Sequence, residues 1–211
     1  AHRAAAARGA GEGVKREEAS GVLGVLAKVG LEKPAQREMA AFLELLTRFE
    51  RVTNLRGPGK LTRPLEDTLA ALAGAEYLEG VATLVDIGSG NGFPAIPLLI
   101  ARRELAGMLL EPRERRWAFL REVVRELQLN AVVCRESVRR HRGGPYGALS
   151  CRGVAGREWL AEVARLVKPG GVVVYWGAAG GVGREPGERV LPSPISTPGG
   201  SLLHVWRRCF T

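Results

Sequence analysis

The chain has 211 residues, of which 45% are hydrophobic and 6% aromatic, and its formal net charge is +9. This length can bury one sizeable core, and the composition is that of a soluble globular protein. Because no 18 consecutive residues are all apolar, no transmembrane helix is predicted. Arginines cluster at residues 113–116, 139–142 and 207–208. They favour a polyanionic partner, although arginine on a solvated surface explains them equally well.

The N-terminal residues 1–18 are mostly small and polar, without the apolar core of a signal peptide, and predict a frayed tail. The three cysteines are Cys134, Cys151 and Cys209. Neither they nor the three scattered histidines have a metal-ligand spacing. We therefore expect a reduced, cytoplasmic protein without a metal site and without membrane contact.

Two helical patterns precede the first predicted strand. Residues 34–51 carry apolar side chains at helical spacing, and residues 64–78 carry leucines on one side of a second helix. Gly-Pro-Gly at 57–59 must interrupt regular structure between them. The sequence thus predicts an N-terminal helical extension over residues 19–80.

From residue 81 onward, short apolar runs alternate with helical patterns. The runs lie at residues 82–87, 107–111, 131–135, 148–152, 172–176 and 202–206. Predicted helices lie at residues 92–103, 112–128 and 156–167. Strands that are apolar on both faces are typical of a parallel sheet covered by helices on both sides.

The end of the chain breaks this alternation. Residues near 188–192 and 201–207 predict two strands that form a hairpin through Pro-Gly-Gly at 198–200. We therefore expect an α/β fold over residues 81–211, with a mostly parallel sheet and an antiparallel C-terminal hairpin. This domain and the helical extension should form one structural unit.

A glycine-rich turn follows the first predicted strand. That strand reaches Asp86, and Gly88, Gly90 and Gly92 follow at every second position. In a doubly wound sheet this turn binds nucleotide-like ligands, and glycine lets the backbone approach them closely. Phe93 occupies the position where a dinucleotide fingerprint needs glycine, and no G-K-[ST] follows. The pattern is instead typical of methyltransferases that use S-adenosylmethionine (AdoMet).

An acidic residue is expected at the end of the next strand, where it would accept hydrogen bonds from the ribose hydroxyls. Glu111 closes that strand, 23 residues after Gly88. The alternative, an ordinary surface carboxylate, is less favoured because a mostly apolar run precedes Glu111 and a basic helix follows it.

Residues 84–100 resemble the first motif of the RsmG (GidB) family of bacterial 16S rRNA (guanine-N7)-methyltransferases. The most specific part is Phe-Pro-Ala-Ile-Pro at 93–97, in which Ala95 replaces the usual glycine. The resemblance extends over residues 42–177 and includes Asp67 and the Ser-Cys-Arg ending at Arg152. It implies a Rossmann-like class I methyltransferase fold, AdoMet as cofactor, and 16S rRNA or the assembling small ribosomal subunit as partner.

The glycine-rich turn, Glu111 and the resemblance together give a set of candidate cofactor-binding residues. They are Asp86, Gly88, Ser89, Gly90, Gly92, Phe93, Glu111, Pro112, Arg113, Val138, Arg139 and Arg152. Arg152 is also a candidate contact to guanine O6 or to RNA, and its alternative is a phosphate contact or a surface salt bridge. No catalytic base is expected because guanine N7 has a free lone pair and carries no proton. Cys151 lies in a predicted buried strand and is expected to pack as a small hydrophobe.

The chain departs from the family pattern at Arg56, Pro64, Arg139 and Gly147. The predicted function is methyl transfer from AdoMet to a guanine N7 of 16S rRNA by a monomeric enzyme. A non-catalytic RNA-binding or ribosome-assembly protein of the same fold remains an alternative. A third, an AdoMet enzyme acting on a small molecule or protein, is less favoured because of the positive charge.

Overall fold

The computed structural model describes residues 21–52, 63–177 and 185–209. Their framework is a sheet of eight strands in which β1 to β5 run parallel. The strands are β1 (Thr83–Ile87), β2 (Ala106–Leu110), β3 (Ala131–Cys134), β4 (Tyr146–Arg152), β5 (Val167–Gly177), β6 (Glu188–Arg189), β7 (Ile195–Ser196) and β8 (Leu202–Arg207). The order is β3-β2-β1-β4-β5-β8-β6, with β7 also paired to β8. The predicted mostly parallel sheet is confirmed.

The helices cover the sheet and precede it. They are α1 (residues 21–28), α2 (Lys33–Val52), α3 (Pro64–Leu72), α4 (Ala95–Ala101), α5 (Glu114–Glu126), α6 (Gly156–Trp159) and α7 (Val163–Leu166), with 3₁₀ turns at Ala75–Leu78 and Leu160–Glu162. None of the described helices is long and apolar enough to cross a membrane. The predicted tail at 1–18 and the Gly-Pro-Gly break at 57–59 lie outside the described residues.

The single helix predicted over 156–167 is wrong, because the structure has two short α-helices joined by a 3₁₀ turn. The backbone leaves α-helical geometry at Trp159, with φ −126° and ψ −24°. The Trp159 side chain is fully buried, and its indole N–H lies 3.3 Å from the Val154 carbonyl oxygen. Seating this large ring against the sheet takes precedence over continuous helical hydrogen bonding.

The C-terminal strands differ in one respect from the prediction. Strand β6 pairs antiparallel with β8, but the strand joined to β8 through residues 198–200 is β7. Pro192 and Pro194 separate β6 from β7. Because proline has no N–H to donate to a ladder, a single strand does not run through these positions. The hairpin therefore starts later than predicted.

The N-terminal helices pack on one face of the sheet and on its helices. Phe42 of α2 meets Phe93 with ring centroids 5.2 Å apart, and Phe49 meets Phe119 of α5 at 5.1 Å. The indole N–H of the buried Trp176 on β5 donates to the Ala70 carbonyl of α3 at 2.7 Å. These contacts fix α2 and α3 beside the carboxyl ends of the parallel strands.

Candidate functional site

The register of the parallel strands brings the predicted polar residues to one edge of the sheet. Asp86 on β1 is level with Ser150 on β4, and Ile87 is level with Leu110, the last residue of β2. Glu111 and Arg152 therefore end the strands on either side of β1. Neighbouring parallel strands end at the same edge, and this is where α/β sheets bind ligands.

Glu111 ties the glycine-rich turn to the end of β2. Its Oε2 accepts the Gly90 N–H at 2.9 Å, and its Oε1 accepts the Arg113 N–H at 2.8 Å. The Gly88 and Ser89 N–H groups both donate to the Leu110 carbonyl, at 2.9 and 3.1 Å. Glu111 is only 2% exposed, so its backbone partners are what make the burial of this carboxylate tolerable.

Two positions of the turn require glycine for different reasons. Gly88 has φ +68°, and a Cβ there would lie 2.7 Å from the Val154 side chain. Gly92 has φ +96°, and a Cβ there would lie 2.8 Å from Ile96. Positive φ disfavours other residues, and the crowding adds a steric cost. The turn can follow this path only with glycine at both positions.

The two prolines mark the start of α4. Pro94 is the residue before the helix, and Pro97 is its third residue. The first four N–H groups of a helix have no partner within it, so the missing N–H of Pro97 costs no helical hydrogen bond. The Ile96 N–H donates instead to the Gly92 carbonyl at 2.7 Å, which links the helix to the turn.

Asp86 is 1% exposed and lies beneath the turn. Its Oδ1 accepts the Ser150 hydroxyl at 2.5 Å, whereas its Oδ2 has no hydrogen-bond partner among the described residues. Burial raises the pKa of Asp86 from its ordinary 3.8 to about 6, and the Ser150 hydrogen bond opposes this rise. The free Oδ2 is a buried acceptor that a cationic or hydrogen-bonding ligand would satisfy.

Arg152 leaves the end of β4 toward helix α3. Its Nη2 donates to Oδ1 of Asp67, a residue that is only 4% exposed. The second oxygen, Asp67 Oδ2, has no hydrogen-bond partner in the described part of the chain. The family resemblance includes Asp67 but implies no role for it, because its partner Arg152 is 85 residues away in the sequence.

The remaining candidates divide into buried and exposed residues. Phe93 and Val138 are buried in the core, whereas Pro112, Arg113 and Arg139 are exposed on loops next to β2 and β3. Arg139 Nη2 lies 3.5 Å from the Arg157 carbonyl. All of these remain predictions as cofactor contacts.

Two residues near the turn were not among the predicted site residues. Ser150 binds Asp86, and its position two residues before Arg152 on the same strand was a signal that could have found it. Arg116 on α5 brings its Nη1 within 3.8 Å of where a Gly90 Cβ would lie.

Cys151, as expected, is buried, and burial raises the pKa of its thiol well above the ordinary value. Over the described ranges, no group of three or more His, Cys, Asp and Glu residues is arranged to hold a metal ion.

These residues fit AdoMet. Each Glu111 oxygen accepts one backbone N–H and has a further lone pair for a ribose hydroxyl. The unpaired Asp86 Oδ2 suits the ammonium group of the methionine portion. The glycine backbone admits a ligand without Cβ clashes. The fold and this site together define the class I AdoMet-dependent methyltransferases.

Comparison with solved structures supports the fold class. A cofactor-bound protein from MTB superposes with a TM-score of 0.59 over 86% of this chain and 92% of that chain, at 16% identity. An RNA methyltransferase from Salinibacter ruber, solved with S-adenosyl-L-homocysteine, gives a TM-score of 0.54 over 72% of this chain and 95% of that chain, at 15% identity. The predicted Rossmann-like class I fold is confirmed.

Residues 35–179 match the family described as GidB: rRNA small subunit methyltransferase G, and the chain belongs to this family. The predicted family is confirmed, and the description of that family names the predicted class of enzyme, an rRNA methyltransferase.

Among the relatives named ribosomal RNA small subunit methyltransferase G, the protein of Alkalilimnicola ehrlichii is 34% identical over 83% of this chain and 80% of its own length. The Mycobacterium ulcerans protein is 44% identical over 51% of this chain and 66% of its own length. The Helicobacter hepaticus protein is 32% identical over 50% of this chain. The match spans only 57% of the length of that protein.

Replacement of Gly88 by alanine tests the crowding at the turn. We expect Gly88→Ala to weaken AdoMet binding on the order of tenfold or more, because the new Cβ and Val154 cannot both keep their positions. The control is Gly80→Ala, which also has a positive φ, +72°, but has no atom within 4 Å of the new Cβ. Both variants are compared by calorimetric titration with AdoMet. Equal affinities would show that the crowding at Gly88 does not shape the site.

The raised pKa of Asp86 predicts a pH dependence of stability. Between pH 3.8 and about pH 6, Asp86 keeps its proton in the folded chain and loses it in the unfolded chain. Stability therefore falls as pH rises through this window, and it levels off above it. Without AdoMet, the wild type should lose up to about 3 kcal/mol relative to Asp86→Asn between pH 4 and 7. Urea unfolding at a series of pH values measures this difference, and parallel curves or the opposite slope would contradict it.

Proposed function

We propose that this chain transfers a methyl group from AdoMet to N7 of a guanine in 16S rRNA, either as RNA alone or within the assembling small ribosomal subunit. The observation that carries the proposal is a cofactor cradle, made of Asp86, the glycine-rich turn at 88–92 and Glu111, in a chain of this family. Glu111 accepts one backbone hydrogen bond from Gly90 of the glycine-rich turn and one from Arg113 at the start of α5, and Asp86 retains a free buried oxygen.

The chemistry asks the chain mainly for alignment. Bound AdoMet supplies an electrophilic methyl group, and guanine N7 supplies a lone pair without losing a proton. The chain therefore needs to hold two ligands in line, which lowers the barrier through proximity rather than through acid–base catalysis. The predicted absence of a catalytic base agrees with this requirement, and the buried Cys151 has no part in it.

In this proposal the two ends of the cofactor are held by different strands. Glu111, at the end of β2, accepts the ribose hydroxyls, while Asp86 and the turn residues hold the methionine portion. Phe93 supports the turn from behind through its edge contact with Phe42. Val138 and Arg139 follow β3 and stand on the side where the adenine would lie.

The distribution of arginine supports an RNA substrate reaching this edge. The cluster at 113–116 begins α5, directly after Glu111, and residues 139–142 follow β3. Arg207 and Arg208 lie at the opposite end of the sheet, where they donate to the Gly170 and Val167 carbonyls. The cluster at 113–116 thus lies beside the candidate site, where it can neutralise phosphates, and Arg139 reaches the Arg157 carbonyl beyond the carboxyl end of β4. We place the enzyme in the cytoplasm, where ribosomes assemble, as a monomer.

The test is methyl transfer followed at the level of the nucleoside. Small subunits that lack the modification are incubated with the protein and AdoMet carrying a CD₃ group, and the digested RNA is analysed by mass spectrometry. We expect CD₃-labelled 7-methylguanosine from the 16S rRNA. Subunits that already carry the modification are the control and should gain no label.

The alternatives give different results in the same assay. AdoMet binding without any label in RNA would favour the non-catalytic assembly protein. Label on another nucleoside would contradict the assignment to guanine N7. Label in protein or in a small molecule, with none in the rRNA, would favour the third class of function.

A further inference from the structure

The ion pair between Arg152 and Asp67 uses only part of each group. Arg152 donates through Nη2 to Asp67 Oδ1, while Asp67 Oδ2 has no hydrogen-bond partner among the described residues. The Arg152 side chain is 25% exposed, whereas that of Asp67 is 6% exposed. One arm of the guanidinium is therefore tied to the protein, and the rest of it remains partly open at the carboxyl edge of β4.

Contacts elsewhere on α3 hold Asp67 in place. Trp176 anchors the helix from β5 through the hydrogen bond to the Ala70 carbonyl. The turn of the C-terminal hairpin lies over its first turn, since a Cβ at Gly199 would be 3.7 Å from Asp67 Oδ1. The Thr68 hydroxyl donates to the Pro64 carbonyl one turn earlier in the same helix, at 2.7 Å. Asp67 is thus a fixed point to which Arg152 is tethered.

The ion pair with Asp67 holds Arg152 close to the candidate AdoMet site. Ser150 and Arg152 are two residues apart on β4, so their side chains lie on the same face of the strand. The Ser150 hydroxyl is hydrogen-bonded to Asp86 beneath the turn. The open side of the guanidinium therefore lies near the place where a methyl acceptor must meet the cofactor. An untethered arginine prefers to bind guanine with both arms, one on O6 and one on N7. That arrangement would occupy the N7 lone pair.

We propose that Asp67 is a positioning residue, which holds one arm of Arg152 so that the arginine donates to guanine O6 and leaves the N7 lone pair free. The inference rests on the proposed function, because it has meaning only for a reaction at N7. Asp67 acts through Arg152 and touches neither the cofactor nor the base. Its removal should leave ligand binding intact and lower the rate of methyl transfer.

The first measurement separates kcat from KM. Asp67→Asn should lower kcat by about 10- to 100-fold, with KM for unmodified small subunits unchanged or lower, because a neutral amide holds the guanidinium more weakly than the carboxylate and lets the arginine bind the base in an unreactive mode. The affinity for AdoMet should stay within about twofold of the wild type. The matched control is Glu66→Gln on the same helical turn, which removes the exposed pair with Arg63 and should leave kcat unchanged.

The second measurement is one that a merely structural role would not change. The probe is 16S rRNA carrying 7-deazaguanine at the guanine that the wild-type enzyme methylates, assembled by ligation. The wild type should bind it as tightly as the unsubstituted RNA, because Arg152 does not contact N7. Asp67→Asn should bind it about tenfold more weakly than the unsubstituted RNA, because the second arm of the fork loses its acceptor.

A lysine at position 152 gives an independent check, because an ammonium group cannot form a two-armed fork. In the Arg152→Lys background, Asp67→Asn should change kcat by less than about threefold, so the two substitutions are strongly non-additive. If Asp67→Asn does not fold, the same comparisons are made with Asp67→Ser, which also removes the carboxylate.

The outcomes distinguish this inference from the function on which it rests. A wild type that never labels N7 overturns the proposed function, and the inference falls with it. A wild type that labels N7 while Asp67→Asn keeps its kcat overturns the inference alone. A variant that loses kcat but binds both RNAs equally, or effects that multiply in the double variant, likewise overturn the inference and leave the function intact.

Discussion

The arrangement of the site depends on one buried carboxylate. Glu111 accepts a hydrogen bond from the turn after β1 and another from the start of α5. It thereby adds a side-chain link between two loops that the Gly88 and Ser89 hydrogen bonds to the Leu110 carbonyl already bring together. Because a buried carboxylate with too few donors is costly, the turn and the helix start are held in the positions that satisfy it. The conformation of the glycine-rich turn follows from this constraint.

The strand order of the parallel sheet brings other polar residues to the same edge as Glu111. Strand β1 lies between β2 and β4, so Asp86, Glu111 and Arg152 meet at one edge although 66 residues separate the first from the last. The N-terminal helices join the same edge through Asp67 on α3 and Phe42 on α2. The helical lead-in is therefore a component of the candidate site as well as a cover for the core.

Elements with a strong local pattern of apolar residues could be predicted from the sequence. Apolar runs located the central strands, helical spacing located α2, and the acid at position 111 located the end of β2. Trp159 and the two prolines before β7 altered elements whose local pattern was weaker. The pairing of Asp67 with Arg152 could not be predicted, because helix α3 reaches β4 only through tertiary packing. The bond between Ser150 and Asp86 similarly depends on register, which the sequence does not show.

Calorimetric titration of AdoMet shows whether Glu111 organises an AdoMet site. Wild type, Glu111→Gln and Glu114→Gln are compared, the last being an exposed acid in the first turn of α5. We expect Glu111→Gln to weaken AdoMet binding by about 10- to 100-fold, because an amide cannot replace both acceptor oxygens. Glu114→Gln should bind as the wild type does. Equal affinities for all three proteins would show that Glu111 does not organise the AdoMet site.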